Sequence, residues 1–330
     1  MNEFDDGIGL FIGIVSGFKH KQINFSTPLD GIVLKTSSTN LAYIDNRRDA
    51  LKKYGFDIWN SIKKQLGKKP DFNHWIKTKG INERILYSKS EQFPDFLFKV
   101  RKSEDTLICG SLLELKDSKG GNVASFNSTL PSEIKNLGEI NIINGNDLVS
   151  RITSILDGEL AYDKIYNTYQ RRNFYLIRTH KDNTQKVKIS IVDGSFFETV
   201  PKEHLVYQMF LNILRNHLEK KDIKIPSELL VEIEKSLSFL TDQTIIAASQ
   251  TIEKASINTR FVVTADVHPE GNPHSSFYPE ISERSVNLII QTSDYNDRIK
   301  AHILEIVSDI NVLTIQHKRN GKHLVFQFKF

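Results

Sequence analysis

The sequence predicts an α/β protein with a mixed central sheet and flanking helices, on three observations. Short runs rich in Val, Ile, Leu and Phe alternate with longer stretches whose apolar residues recur at helical spacing. The run 107–115 is almost wholly apolar except for Glu114, the pattern of a central strand covered on both faces. The last residues read as a hairpin: 312–316 and 323–329 flank Lys318-Arg319-Asn320-Gly321-Lys322, and an Asn-Gly pair favours a tight turn.

The elements follow in order. The β-branched and glycine-rich pieces within 8–36 suggest short strands packed against something else, giving a β-rich N-terminal segment over 1–45. Gly7-x-Gly9-xxx-Gly13 has the wrong spacing for a nucleotide loop and no strand before it, so its glycines read as structural. Residues 45–65 form a helical pattern on Ala50, Leu51, Tyr54, Ile58 and Ile62. Its polar positions carry Arg47, Arg48, Lys52, Lys53, Lys63 and Lys64, either a solvated face or a phosphate-facing one. Two apolar runs, 96–100 and 107–116, are joined by Ser103-Glu104-Asp105 in a hairpin connection. Helical patterns over 147–156 and 159–170 precede a strand at 173–178 and an alternating, half-exposed strand at 186–192. Helices over 202–221 and 227–240 are separated by Ile225-Pro226; a strand near 260–263 and a helix over 295–308 precede the terminal hairpin.

Composition narrows the class. With 330 residues, 39% hydrophobic and 25% charged, the chain can build one large domain or two modest ones. A net charge of +4 permits a nucleic-acid partner without demanding one. The single cysteine, Cys109, rules out an intrachain disulfide and reads as a small buried hydrophobe, which fits a reducing compartment. The acidic start Glu3-Phe4-Asp5-Asp6 is unlike a secretory signal, and the apolar stretch 7–18 is too short to span a bilayer and carries four glycines. A cytoplasmic protein without a membrane span is expected. Neither a Gly-x-Ser-x-Gly elbow nor a phosphate-binding Walker loop is present, which argues against serine hydrolase and ATP-driven motor chemistry.

One constellation carries chemistry. Pro94-Asp95 opens the first hairpin strand, and Glu114 and Lys116 stand near the end of the second. Side chains alternate along a strand, so Glu114 and Lys116 share a face while Leu115 points away, and an antiparallel partner can bring Asp95 beside them. Two carboxylates can hold Mg²⁺, which prefers hard oxygen ligands, and a lysine adds positive charge where a phosphate is attacked. The letters alone recur: Pro-Asp stands at Pro70-Asp71 as well, and the acid-x-Lys pattern begins at Glu114, Asp117, Glu133, Glu219 and Asp222. Only Glu114-Leu115-Lys116 ends a long apolar strand preceded at hairpin distance by Pro-Asp. The plain structural alternative is a solvated ion pair at a strand end.

Phe93-Pro94-Asp95, eighteen residues, then Glu114-Leu115-Lys116 resembles the PD-(D/E)xK nuclease motif, over a region of about 80–200. The superfamily includes most type II restriction endonucleases. The resemblance implies a restriction-endonuclease-like core over 46–200, with a C-terminal α+β region over 201–330 for DNA recognition or dimerisation. It implies that Asp95 and Glu114 coordinate Mg²⁺ and that Lys116 assists the attacking water. It further implies double-stranded DNA as substrate, a homodimer, and a cognate DNA methyltransferase encoded separately. A repair or structure-selective nuclease of the same fold and a non-catalytic DNA-binding protein are the alternatives. The family often adds an acid from a preceding helix, for which Glu83 and Glu91 are the candidates. The segment 117–129 resembles the loop by which such enzymes approach DNA, offering Lys119, Ser125, Asn127 and Ser128 as contacts.

Other basic and histidine-bearing stretches are expected to help hold DNA. Arg171 and Arg172 make one short basic cluster and 318–323 another, each equally readable as a solvated turn. The stretch 266–274 carries His268 and His274 in a Pro/Gly-rich loop, better suited to touching DNA through His274 than to a zinc site. Ser275-Ser276-Phe277-Tyr278 offers hydroxyls for phosphates, or aromatics for the core.

Overall fold

The computed structural model describes residues 4–37, 41–45, 64–67, 85–87, 93–103, 106–108, 110–122, 131–144, 156–198, 202–237 and 273–330. Twelve strands occur among them: β1 (Leu41–Asp45), β2 (Ile85–Tyr87), β3 (Phe96–Phe98), β4 (Arg101–Ser103), β5 (Thr106–Ile108), β6 (Leu112–Asp117), β7 (Ile134–Lys135), β8 (Arg171–Thr179), β9 (Lys188–Asp193), β10 (Ser285–Gln291), β11 (Ile310–His317) and β12 (Gly321–Lys329). The main sheet runs β11-β12-β10-β9-β8-β6-β3-β1-β2, with β7 also paired to β8. It is mixed: β6 lies parallel to β8 and β9 to β10, whereas β3–β6, β8–β9 and β10–β12 are antiparallel. The α/β architecture with a mixed sheet and flanking helices is therefore present.

Strand alternation sorts the side chains onto two faces. Leu113, Phe174, Leu176, Ile189, Ile191, Leu288 and Phe326 point to one face, where they join one apolar core. That face is covered by α1 (Asp5–Lys19), α2 (Leu29–Thr36) and a later helix over Asn296–Ile306, which buries Ile299 and Ile303. The opposite face carries Leu112, Glu114, Tyr175, Ser190, Asn287 and Gln327. It is covered by turns near 156–169, by Phe196 and Phe197, and by a segment that buries Tyr278 and Ile281.

The strands expected within 8–36 are instead the helices α1 and α2, so the segment before β1 is helical rather than β-rich. Ile8, Phe11, Ile14 and Val15 recur at helical spacing and are buried, while Asp5 and Asp6 in the first turn and Lys19 in the last suit the helix dipole. Gly7 and Gly17 are buried along with the apolar residues, and Ile12 and Phe18 stand on the less buried side, so no charged face reveals the amphipathic pattern. Gly13 is required by close packing, because a Cβ there would collide with the Thr36 carbonyl of α2.

Further differences have local causes. The connection between β3 and β6 is not one continuous hairpin: β4 and β5 pair as a separate two-stranded ribbon. At its neck Gly110 passes so close to the Phe98 carbonyl that a Cβ would not fit. The helix expected over 159–170 is two single turns of 3-10 helix, Gly158–Tyr162 and Tyr166–Thr168. Strand β9 is buried along its whole length rather than half-exposed. Its polar positions are satisfied internally: Lys188 Nζ donates to the Pro273 carbonyl (2.8 Å) and Asn287 Nδ2 to Ser190 Oγ (3.3 Å). Helices over Lys202–Lys220 and Ser227–Leu237 and the terminal β11–β12 hairpin stand where expected, with Gly321 at φ 79° in the turn. Residues 46–63 of the expected lysine-rich helix, 147–155 of the next and the strand at 260–263 lie outside the described residues.

Candidate functional site

Strands β3 and β6 pair with Phe96 opposite Leu113 and Leu97 opposite Leu112. One further step of that register sets Asp95 across from Glu114. The Leu115 N–H donates to Asp95 Oδ2 (2.8 Å), which fixes the carboxylate against β6, and the Asp95 carbonyl accepts from the Ile44 N–H (2.8 Å). On the same face of β6, Lys116 Nζ donates to Glu114 Oε1 (2.9 Å). The side chains of this pair are only 12% and 8% exposed. The structure brings the three expected residues together at the end of an apolar strand.

Their electrostatics are strained in one direction. Burial pushes the Glu114 carboxyl up to about 8, the Asp95 charge adds to this, and Lys116 opposes it. Asp95 is also raised by burial, against the Leu115 N–H bond and the Lys116 charge. Tyr175, in register with Glu114 on β8, is held well above the ordinary phenol range by burial and by the Glu114 charge. Two adjacent carboxyls therefore sit where negative charge is poorly solvated. Glu114 Oε2 is buried with no hydrogen-bond partner. A buried carboxyl pair of this kind can share a proton, as the Asp95–Glu114 hydrogen bond that contributes to both shifts indicates, and its oxygens are also a donor set that a hard divalent cation fits. Among the described residues no group of three His, Cys, Asp or Glu side chains is arranged to hold an ion.

Asp30 of α2 was not anticipated. It is buried, accepts a hydrogen bond from the Tyr43 hydroxyl (3.2 Å), and its charge adds to the upward push on Asp95. An isolated acid in an apolar stretch was its only signal in the sequence. Glu83 and Glu91 lie outside the described residues.

The neighbouring acid-x-Lys occurrences are structural. Asp117 takes a two-pronged contact from Arg178 (2.9 and 2.7 Å), whose Nη1 also donates to the Phe25 and Thr27 carbonyls (2.6 and 2.8 Å). This ties the α1–α2 connection to the strand end. Glu133 pairs with Arg172 (3.0 Å).

The expected DNA contacts separate. Lys119 is exposed and pairs loosely with Asp182 (3.3 Å). Ser125, Asn127 and Ser128 lie outside the described residues. Arg171 and Arg172 are buried, contrary to the expectation of a surface cluster. Arg171 reaches the Gly110 carbonyl (3.4 Å) and lies over the Tyr166 ring, and Arg172 pairs with Asp193 (2.9 Å) as well as Glu133. Both begin the central strand β8, whose ends are covered by segments distant in sequence. Within 275–278, Tyr278 belongs to the core and Phe277 is exposed. His274 is partly exposed and stands beside Gly121, the end of the β6 extension.

Comparison of the chain with protein-family models, curated proteins and solved structures finds no match in any of the three.

Proposed function

We propose that this chain is a Mg²⁺-dependent endonuclease that hydrolyses double-stranded DNA at a short specific sequence, in the manner of the type II restriction endonucleases whose motif it resembles. The observation that carries this reading is the juxtaposition of Asp95 and Glu114 on adjacent strands with Lys116 2.9 Å from Glu114. Carboxylates are costly to bury, and the single Lys116 charge offsets only part of the burden of this pair, since both carboxyls stay raised. A divalent ion held by Asp95 and Glu114 would supply charge compensation for a phosphate and a more acidic bound water.

The chain's own groups divide the work. The Leu115 N–H orients Asp95, so that carboxylate is set before substrate arrives. Lys116 steadies Glu114 and places a positive charge where negative charge grows during attack on phosphorus. The mixed sheet around β3, β6 and β8 is compatible with a restriction-endonuclease-like core, and β1 and β10–β12 extend the same sheet beyond 46–200. A homodimer completes the reading, since one site cuts one strand and a palindromic target mirrors two-fold symmetry. A cognate methyltransferase would protect the host's own sites.

Digestion of a plasmid of known sequence with Mg²⁺, followed by end mapping, tests the proposal. Discrete fragments with 5′-phosphates at one recurring sequence are expected. A smear, or a preference for branched DNA, would instead assign a repair or structure-selective role. No cleavage by the wild type, with DNA binding intact, would leave a non-catalytic DNA-binding protein.

A further inference from the structure

The main sheet ends on β11, which pairs with β12 alone. Their ladder keeps one register, without a bulge, from Ile310 opposite Phe328 to His317 opposite Gly321. Alternation settles which backbone groups of β11 the ladder leaves over. The Lys322 carbonyl accepts from the Thr292 N–H (3.1 Å), on the β10 side of β12. Gln316, opposite Lys322, therefore turns its N–H and carbonyl away from β12, and so do Thr314, Val312 and Ile310 at every second step. Among the described residues no backbone group meets this outer edge.

Sheet edges of soluble proteins are ordinarily blunted by charge, proline or a bulge. From Ile310 to His317, β11 carries no proline, glycine, acid, lysine or arginine, although Asn311, Thr314 and Gln316 are exposed. Charges of opposite sign stand beyond its two ends instead. Glu305 and Asp309 precede the strand, and Lys318, Arg319 and Lys322 follow it. An antiparallel copy of the same strand complements both the open edge and these charges. A two-fold axis normal to the sheet keeps the faces aligned, so residues of like face meet. One register matches all four outward residues: Ile310 with Gln316 and Val312 with Thr314 of the second copy, with Leu313 meeting Leu313 on the axis. The same register sets Ser308 against Lys318 of the second copy, and Asp309, which also holds Lys19 (3.0 Å), against His317 of the second copy.

We propose that β11 is a dimerisation strand, joining two copies of this chain edge to edge in one continuous sheet. Each outward N–H and carbonyl of Ile310, Val312, Thr314 and Gln316 then gains a partner. Five strand spacings separate β6 from β11, so the two Asp95–Glu114 pairs lie on the order of 50 Å apart along the joined sheet. That is too far to cut opposite strands of one short palindrome. The junction is thus distinct from the pairing on a single palindrome invoked above, and it suits engagement of two DNA segments at once. That use rests on the nuclease reading; the junction itself rests on β11.

Sedimentation over a concentration series, without DNA, tests the junction together with disulfide trapping. Thr314→Pro removes an outward N–H from each copy and leaves the ladder to β12 its own bonds. The wild type is expected to sediment as a reversible dimer, and Thr314→Pro to associate roughly tenfold more weakly or worse. For trapping, Leu313→Cys and Asn311→Cys are each made with Cys109→Ser. Leu313 meets its copy as a non-hydrogen-bonded pair, about 4.5 Å between Cα atoms and within disulfide reach. Asn311 stands four residues from its copy, about 13 Å along the strand. Mild oxidation should therefore link Leu313→Cys into a dimer and leave Asn311→Cys unlinked. Thermal melting confirms that each variant is folded; if Thr314→Pro fails that check, the cysteine pair decides alone. A wild type that stays monomeric throughout overturns the junction. So do a folded Thr314→Pro protein that dimerises as well as the wild type, and cross-linking that does not favour Leu313→Cys over Asn311→Cys. The two readings fail separately: a trapped dimer that never cuts DNA keeps the junction and rejects the nuclease, and a monomer that cuts does the reverse.

Discussion

At the scale of the residue, Glu114 sets the terms. Its carboxyl titrates near 4.5 when unburied and is pushed up to about 8 in the fold, by burial first and the Asp95 charge second. Between those values the folded state holds a proton that the unfolded state has released. The group's stabilising contribution is thus full below about 4.5 and is lost as pH rises through about 8. Asp95 is displaced in the same direction; Lys116, across the pair, opposes both, and Asp30 reinforces the push on Asp95. Denaturant melts in EDTA should therefore weaken across this window, and Glu114→Gln should flatten the decline. Parallel profiles for the two proteins would show that Glu114 is not the titrating group. Lys116→Ala removes the cation that lowers both carboxyls. It is expected to cut the DNA cleavage rate by about a hundredfold or more, measured in single turnover, with binding of the same duplex preserved.

At the scale of the element, the pairing of β3 with β6 explains why the site was legible. Strand alternation alone puts Glu114 and Lys116 on one face, and antiparallel pairing alone brings Asp95 across from them. Both rules are local. The misread parts depend on what covers an element from elsewhere in the chain. The apolar run of α1 fits a strand or a helix until its glycines find Thr36 and Phe174 to pack on. Arg171 and Arg172 look like a surface cluster until Gly110, Glu133 and Asp193 close around them. Asp30 reaches the site from α2 only in the folded sheet. No spacing rule announces any of these. Removing the charge of Arg172 tests the structural role: Arg172→Ala leaves Asp193 buried without its cation and should cost about 3 kcal/mol of stability. A variant that melts like the wild type but binds DNA weakly would return Arg172 to the surface role first expected of it.

At the scale of the whole molecule, the sheet divides labour between its faces. One is an apolar core under α1, α2 and the helix over Asn296–Ile306; the other carries the acids, the lysine and the polar row that runs through Ser190, Asn287 and Gln327. Among the described residues no helix is long and apolar enough to cross a membrane. On the proposed reading, an ion at the carboxylate pair would compete with protons, so stabilisation by Mg²⁺ should grow with pH. At a concentration about ten times its dissociation constant, Mg²⁺ should raise the melting temperature by roughly 2 °C near pH 8.5 and by less near pH 6. Glu114→Gln should lose the increment, and an equal shift in both proteins would place the ion elsewhere.

The most direct test of the central claim is Mg²⁺-dependent cleavage of plasmid DNA by the wild type, Asp95→Asn and Glu114→Gln, at matched DNA occupancy. Discrete fragments from the wild type and none from either variant are the predicted result. Equal cleavage by either variant would contradict the assignment of the site.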